Sequence, residues 1–146
     1  MTPAQIKLVQ DSFAKVAPIA GEVAEFFYDR LFTIAPGVRP LFAEDLTTQK
    51  QKLMQMLGTV IANLHQVETI IPAVQELGKR HVGYGVTTKH YDSVGAALLW
   101  TLDRLLASEF TPAVKEAWTA AYATLAKVMN EAAATVAPAS GKPAAA

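Results

Sequence analysis

Cysteine is absent from this 146-residue chain, and its absence removes several chemistries together. Disulfides, thiolate zinc sites, cysteine nucleophiles, iron–sulfur clusters and the Cys-x-x-Cys-His attachment of a prosthetic group are all excluded. An excess of charge of one sign is missing too. Thirteen Lys and Arg balance thirteen Asp and Glu, and no segment concentrates cations, so the footprint of a nucleic-acid or anionic-membrane partner is lacking. Long apolar runs are also wanting: nowhere do about eighteen apolar residues follow one another. The opening residues, Met1 to Lys7, carry no basic leader followed by an apolar run and a small-residue cleavage site. A soluble, cytoplasmic protein is expected, with no membrane and no nucleic acid among its partners.

Strand-like alternation is missing as well, and helical periodicity stands in its place. Thr2-Pro3-Ala4-Gln5 reads as a capping box with proline at the first helical position, followed by Ile6, Val9, Phe13 and Val16 on one face. A second segment runs from Pro18 to Ala35, with Val23, Phe27, Leu31 and Ile34 as its buried stripe. Pro36 ends it, and Pro36-Gly37-Val38-Arg39-Pro40-Leu41-Phe42 is a proline-rich corner that delivers Phe42 into a loop. From Thr48 the stripe Gln49, Leu53, Leu57, Val60 and Leu64 begins on a polar residue. Pro72 opens a short helix that Gly83 and Gly85 close. Tyr91, Val94, Leu98, Leu102 and Leu105 line a helix long enough to cross a small domain. Thr111-Pro112 starts the last helix, which carries Val114, Trp118, Ala121, Tyr122, Leu125 and Val128. The pattern predicts one all-α domain over residues 1–136, of six to eight helices, and an Ala/Pro tail over 137–146 that has nothing to bury and is expected to be disordered.

Among three histidines, His81 stands out because Val74, Leu77 and His81 recur at spacings of three and four, which aims its imidazole at the core. His65 and His90 sit near helix ends and off the buried stripes. A lone histidine on an apolar face is more often a satisfied core residue than a ligand. No His-x-x-x-His or His-Glu-x-x-His spacing supports a zinc site. If His81 binds a metal, most of the coordination must come from a cofactor, and an iron porphyrin is the obvious candidate. The turn Gly83-Tyr84-Gly85-Val86 behind it lets backbone approach a flat ligand.

The run Leu77-Gly78-Lys79-Arg80-His81-Val82-Gly83-Tyr84-Gly85-Val86, followed by His90-Tyr91-Asp92-Ser93-Val94-Gly95, resembles the proximal-helix signature of globins. The resemblance is closest to bacterial single-domain haemoglobins related to the haem domain of flavohaemoglobins. It extends through Phe27-Tyr28-Asp29-Arg30-Leu31-Phe32, Val38-Arg39-Pro40-Leu41-Phe42 and Trp118-Thr119-Ala120-Ala121-Tyr122. It implies a globin fold around a haem pocket, holding haem b non-covalently, with His81 as the proximal iron ligand. The other ring nitrogen of His81 would be held by a backbone carbonyl or a carboxylate. Phe42 matches the ring that packs on the porphyrin, and Val86 and Tyr91 join it as cofactor-binding residues. Tyr28 matches the distal tyrosine. Gln49, thirty-two positions before His81, matches the distal helix residue, and Leu53 forms the apolar ceiling of the gas site.

Two departures from the family pattern stand out. Counting from Tyr122, the glutamate that would join Tyr91 and the proximal histidine in a triad falls on Ala133, and the nearest carboxylate, Glu131, faces about 200° around the helix. No Gly-x-Gly-x-x-Gly follows a strand, so reducing power is expected from an external reductase. The resemblance therefore implies a haem globin that binds dioxygen, nitric oxide and carbon monoxide at ferrous iron. Tyr28 and Gln49 are its expected ligand-stabilising or catalytic pair, serving oxygen storage and delivery or nitric oxide dioxygenation. A gas or redox sensor, a haem-free globin-fold interaction module and a plain helical scaffold are the alternatives, and monomer and homodimer both stay open.

Overall fold

Six α-helices and four short 3-10 turns build residues 1–136, the part of the chain that the computed structural model describes. The tail over 137–146, expected to be disordered, lies outside the described residues. No strand occurs among the described residues, and none of their helices is long and apolar enough to cross a membrane.

Local chemistry sets the helix starts. Helix α1 (Pro3–Val16) opens on the predicted capping box: Thr2 Oγ1 accepts from the Gln5 amide at 3.1 Å, and the Thr2 amide donates to Gln5 Oε1 at 3.0 Å. Helix α2 (Ala20–Ile34) begins only after a 3-10 turn over Ala17–Ile19, later than Pro18 suggested. It buries Val23, Ala24, Phe27, Tyr28 and Leu31, but Ile34, expected on the same stripe, is 39% exposed. Ile34 lies about 60° around the helix from Leu31, and as the last residue of α2 it has no following turn to cover it.

The corner Pro36–Leu41 is a 3-10 turn that leaves Phe42 extended at its end. Asp45 then prepares α3 (Thr47–Ala62), its Oδ1 accepting from both the amide and the hydroxyl of Thr47, at 2.9 and 2.7 Å. The stripe read through to Leu64 is interrupted. Helix α3 stops at Ala62, and Leu64 belongs to a 3-10 segment, Leu64–Thr69, that leaves helical geometry at Gln66. Helices α4 (Ile71–Gly83), α5 (Thr88–Leu106) and α6 (Pro112–Ala133) follow. Gly83 is the last residue of α4, and Gly85 beyond it takes φ 86°, the left-handed region that glycine enters without a Cβ penalty.

Packing sorts these helices into two groups of contacts. Helix α1 lies on α6, and α2 lies on α5 and α3. Their core contains Val9, Val16, Phe27, Tyr28, Leu31, Leu98, Leu102 and Trp118. One buried polar link crosses it: Trp118 Nε1 donates to Ser12 Oγ at 2.8 Å, while the Ser12 hydroxyl donates to the Leu8 carbonyl at 2.6 Å. A second, smaller core joins Ile70, Val74, Tyr91 and Met129. There α4 lies on α6 so closely that a Cβ added at Gly78 would sit 2.5 Å from the Met129 carbonyl oxygen. Helices α3 and α4 are thus anchored chiefly to different neighbours, α3 to α1 and α2, α4 to α6.

Candidate functional site

On the α4 side, the half-buried imidazole of His81 has its Nδ1 2.6 Å from the Leu77 carbonyl oxygen, one turn earlier. A carbonyl only accepts, so Nδ1 carries the proton and the lone pair of the neutral ring is left on Nε2. Burial favours that neutral form by lowering the His81 pKa; the Leu77 carbonyl works against the shift and the Arg80 charge reinforces it. Nε2 has no hydrogen-bond partner among the described residues. The turn after α4 is tied back onto the same residue, since the amides of Tyr84 and Val86 donate to the His81 carbonyl at 3.1 and 3.0 Å.

Tyr91 and Val86 belong to the core beneath this histidine. The Tyr91 ring lies 6.3 Å from that of His81, centroid to centroid. Its hydroxyl is buried without a hydrogen-bond partner, the one fully buried side-chain polar atom among the described residues left so. Burial raises its pKa, so it stays a neutral phenol. Glu131 does not reach it. That carboxylate faces solvent with its side chain 67% exposed, 4.0 Å from the Lys127 ammonium, and Ala133 offers no acceptor beyond backbone. Tyr122, read from sequence as part of the α6 stripe, instead donates its hydroxyl to the Tyr91 backbone carbonyl at 2.6 Å. Its ring rests on Gly95, where an added Cβ would come within 2.8 Å.

The α2–α3 side is aromatic with one polar pair. Tyr28 is 3% exposed and packs edge-on against Phe27 and Phe42, with centroids at 4.9 and 5.6 Å; Phe42 in turn meets Phe32 at 5.5 Å. Gln49 Nε2 donates to the Tyr28 hydroxyl at 3.1 Å, a bond between residues twenty-one apart on two helices. Burial raises the Tyr28 pKa and the Gln49 bond opposes it, leaving a neutral phenol whose own proton is free to donate. Leu53, one turn along α3 from Gln49, lines an apolar cavity of about 60 Å³ with Phe27, Leu57, Leu98 and Trp118.

The other histidines hold local posts. The His90 Nδ1 accepts from the Thr87 amide at 3.0 Å at the start of α5, and His65 Nε2 pairs with Gln66 at 2.7 Å on the surface. No group of three or more His, Asp or Glu side chains able to hold a bare metal ion occurs among the described residues. Two contributors were read from sequence only in part or not at all. A backbone carbonyl or a carboxylate was expected on His81 and the Leu77 carbonyl takes that place, though which residue supplied it was not read; the Tyr122–Tyr91 bond had no local signal.

Six helices in this arrangement, with a histidine on α4 and a tyrosine–glutamine pair that joins α2 to α3, can be compared with known proteins. The family model for the globin domain matches residues 25–129. The chain belongs to the globin family. Its fold is that of a bacterial globin from Campylobacter jejuni, with a TM-score of 0.78 at 28% identity over 92% of this chain and 97% of the other. This globin is also 28% identical over 133 residues to a flavohemoprotein of Vibrio cholerae, and 33% identical over 103 residues to one of Bacillus subtilis. Those alignments take in 88% and 68% of this globin but only 33% and 26% of the relatives. It therefore spans about a third or less of the curated relatives it matches.

Proposed function

We propose that this globin holds haem b non-covalently through His81 Nε2 and binds dioxygen and other diatomic gases reversibly at ferrous iron. The observation that carries the reading is the donor set: a neutral imidazole with one nitrogen engaged by Leu77 and the other unpartnered, in a chain whose described residues offer no cluster for a bare metal. Such a histidine can serve a metal that brings its remaining ligands with it, as a porphyrin does. The relatives named flavohemoprotein support the same cofactor. Phe42, Leu53, Val86 and Tyr91 are the side chains assigned to its surroundings.

When bound, the haem would supply a ferrous iron able to take up a diatomic gas. The protein supplies the rest. Gln49 donates to the Tyr28 oxygen, which fixes the phenol and directs its proton away from Gln49. A gas that gains negative charge in the site then meets an oriented donor, and a hydrogen bond to a charged acceptor contributes roughly 1.5–3 kcal/mol. Glutamine is a poor iron ligand, so it leaves the gas position open. The aromatic wall of Phe27, Phe32 and Phe42 limits water.

The proximal side favours binding over oxygen activation. His81 is held by a backbone carbonyl, and no carboxylate reaches Tyr91 to build up electron density on the ring. Nitric oxide dioxygenation is a second reading, favoured by the intact Tyr28–Gln49 pair. In it nitric oxide, dioxygen and one electron from an external reductase yield nitrate.

Purified protein expressed with haem precursor is expected to show a Soret band that disappears in His81→Ala. Colourless protein would leave the haem-free interaction module as the reading. Stopped-flow oxygen release from Tyr28→Phe is expected to be about 10- to 100-fold faster than wild type, and an unchanged rate would remove Tyr28 from the gas site.

A further inference from the structure

The side chain that directly abuts His81 on its outer side is Tyr84, with ring centroids 5.6 Å apart at 60°. Tyr84 is also 56% exposed, more than any other large apolar or aromatic side chain described. The hydrogen bond from its amide to the His81 carbonyl, 3.1 Å long, keeps it there. An aromatic ring is thus displayed to solvent one contact from the proposed iron ligand, although burying it in the second core would have been favourable.

Along the segment that carries this ring, charge is one-sided. From Lys79 to His90 the chain carries Lys79, Arg80 and Lys89 and no carboxylate, in a protein whose charges otherwise balance. All three cations are exposed. Arg80 and Lys89 enter no ion pair among the described residues; Lys79 has only Glu76, at 3.5 Å. Glu76 and Asp92 are the nearest acidic residues in sequence, at the two margins of the segment. An exposed aromatic anchor with arginine and lysine around it has the composition of an interface core with a cationic rim.

Resting on the haem reading, we infer that this corner is the docking surface for an acidic one-electron carrier protein, with Tyr84 as anchor and Lys79, Arg80 and Lys89 as the steering charges. These 146 residues hold no cysteine for a cluster and no dinucleotide-binding glycine motif, so an electron bound for the iron has to cross the surface of the globin domain. The reaction at the surface is a single electron transfer. The carrier is oxidised by one electron and ferric iron is reduced to ferrous, with no bond made or broken. Docking at Tyr84 brings the carrier to within one ring of His81, and complementary charge raises the encounter rate in a salt-dependent way.

The test uses the full haem-loaded chain and an acidic two-iron ferredoxin as probe. Chemical-shift changes on adding oxidised ferredoxin to isotope-labelled protein are expected at residues 79–90, independently of any turnover. The bimolecular reduction rate by reduced ferredoxin at low salt is expected to fall about tenfold in Arg80→Glu/Lys89→Glu, with the difference collapsing at high salt. Tyr84→Ser is expected to lower it by a similar factor at any salt. Reduction by a small neutral photoreduced flavin, together with the Soret band, should not change in any variant. Shift changes elsewhere, or wild-type ferredoxin rates in variants that keep their haem, overturn the docking surface. Loss of haem in the charge-reversed protein also overturns it, by giving the cations to the cofactor's own carboxylates. A wild-type protein without a Soret band would instead overturn the haem reading beneath it.

Discussion

Two tyrosines, Tyr28 and Tyr91, are both nearly excluded from solvent, yet their hydroxyls are treated in opposite ways. The Tyr28 oxygen receives the Gln49 amide at 3.1 Å, whereas the Tyr91 hydroxyl is buried without a partner. On the α2–α3 side the polar groups are mutually oriented, so a donor is held in place before any ligand arrives. On the α4 side the His81 ring is hydrogen-bonded by backbone alone, and the nearby Tyr91 phenol carries an unmet hydrogen-bond demand. The difference teaches where specificity resides. The donors proposed to face the gas are preorganised, while the ring proposed to hold the iron has no carboxylate raising its basicity.

The largest expected effect would break the α4 side altogether. Gly78→Val forces a side chain into the space taken by the Met129 backbone, where even a Cβ would lie 2.5 Å from the carbonyl oxygen. Because backbone cannot move aside as a flexible side chain does, denaturant unfolding should show a loss of about 3 kcal/mol or more. A valine variant as stable as wild type would mean that α4 and α6 are less closely packed than described.

A subtler experiment makes one substitution on both sides. In the haem-free protein Tyr28→Phe removes a satisfied hydrogen bond and should cost about 1 kcal/mol, whereas Tyr91→Phe removes an unsatisfied hydroxyl and should be neutral or stabilise by about 1 kcal/mol. Equal losses in the two variants, measured by urea unfolding, would erase the contrast between the two sides.

The smallest effect concerns the start of α3, which carries Gln49. The Thr47 amide and hydroxyl hold the Asp45 carboxyl below the usual carboxylate range. A group with a depressed folded-state pKa contributes stability that is fully present above its unfolded value and is lost as pH falls through the lower folded one. Asp45→Asn should therefore slightly flatten the acid limb of the stability curve below about pH 4 and leave the neutral region almost unchanged. A variant with an identical acid limb would deny Asp45 that role.

Much of this architecture was legible because helical periodicity and capping are local. Thr2-Pro3-Ala4-Gln5 fixed a start within four residues, and Val74, Leu77 and His81 marked one face of α4 without any knowledge of what lay opposite. The ends were less legible. Ile34 carries the right spacing but lies on the last residue of α2, and Leu64 continues the α3 pattern beyond the point where the backbone leaves the helix. Periodicity records which face would be buried if a partner were present: Ile34 falls where α2 ends and is exposed, whereas Leu64 still packs on the core from its 3-10 segment.

Resemblance brought Tyr28, Gln49 and His81 together on paper, but the bonds among their surroundings are properties of packing. Gln49 meets Tyr28 across twenty-one residues, Tyr122 meets the Tyr91 carbonyl across thirty-one, and Trp118 meets Ser12 across one hundred and six. By itself the sequence determined the all-α class, the absence of thiol chemistry, the face on which His81 lies and the lack of a glutamate at residue 133. All of these depend on residue identity or on spacing within one helix. Only the tertiary structure decided that Gln49 reaches Tyr28, that Tyr122 bonds the Tyr91 carbonyl and that the Tyr91 hydroxyl is left alone. A hydrogen bond needs donor and acceptor within about 3 Å, and residues far apart in sequence reach that distance only when their helices pack.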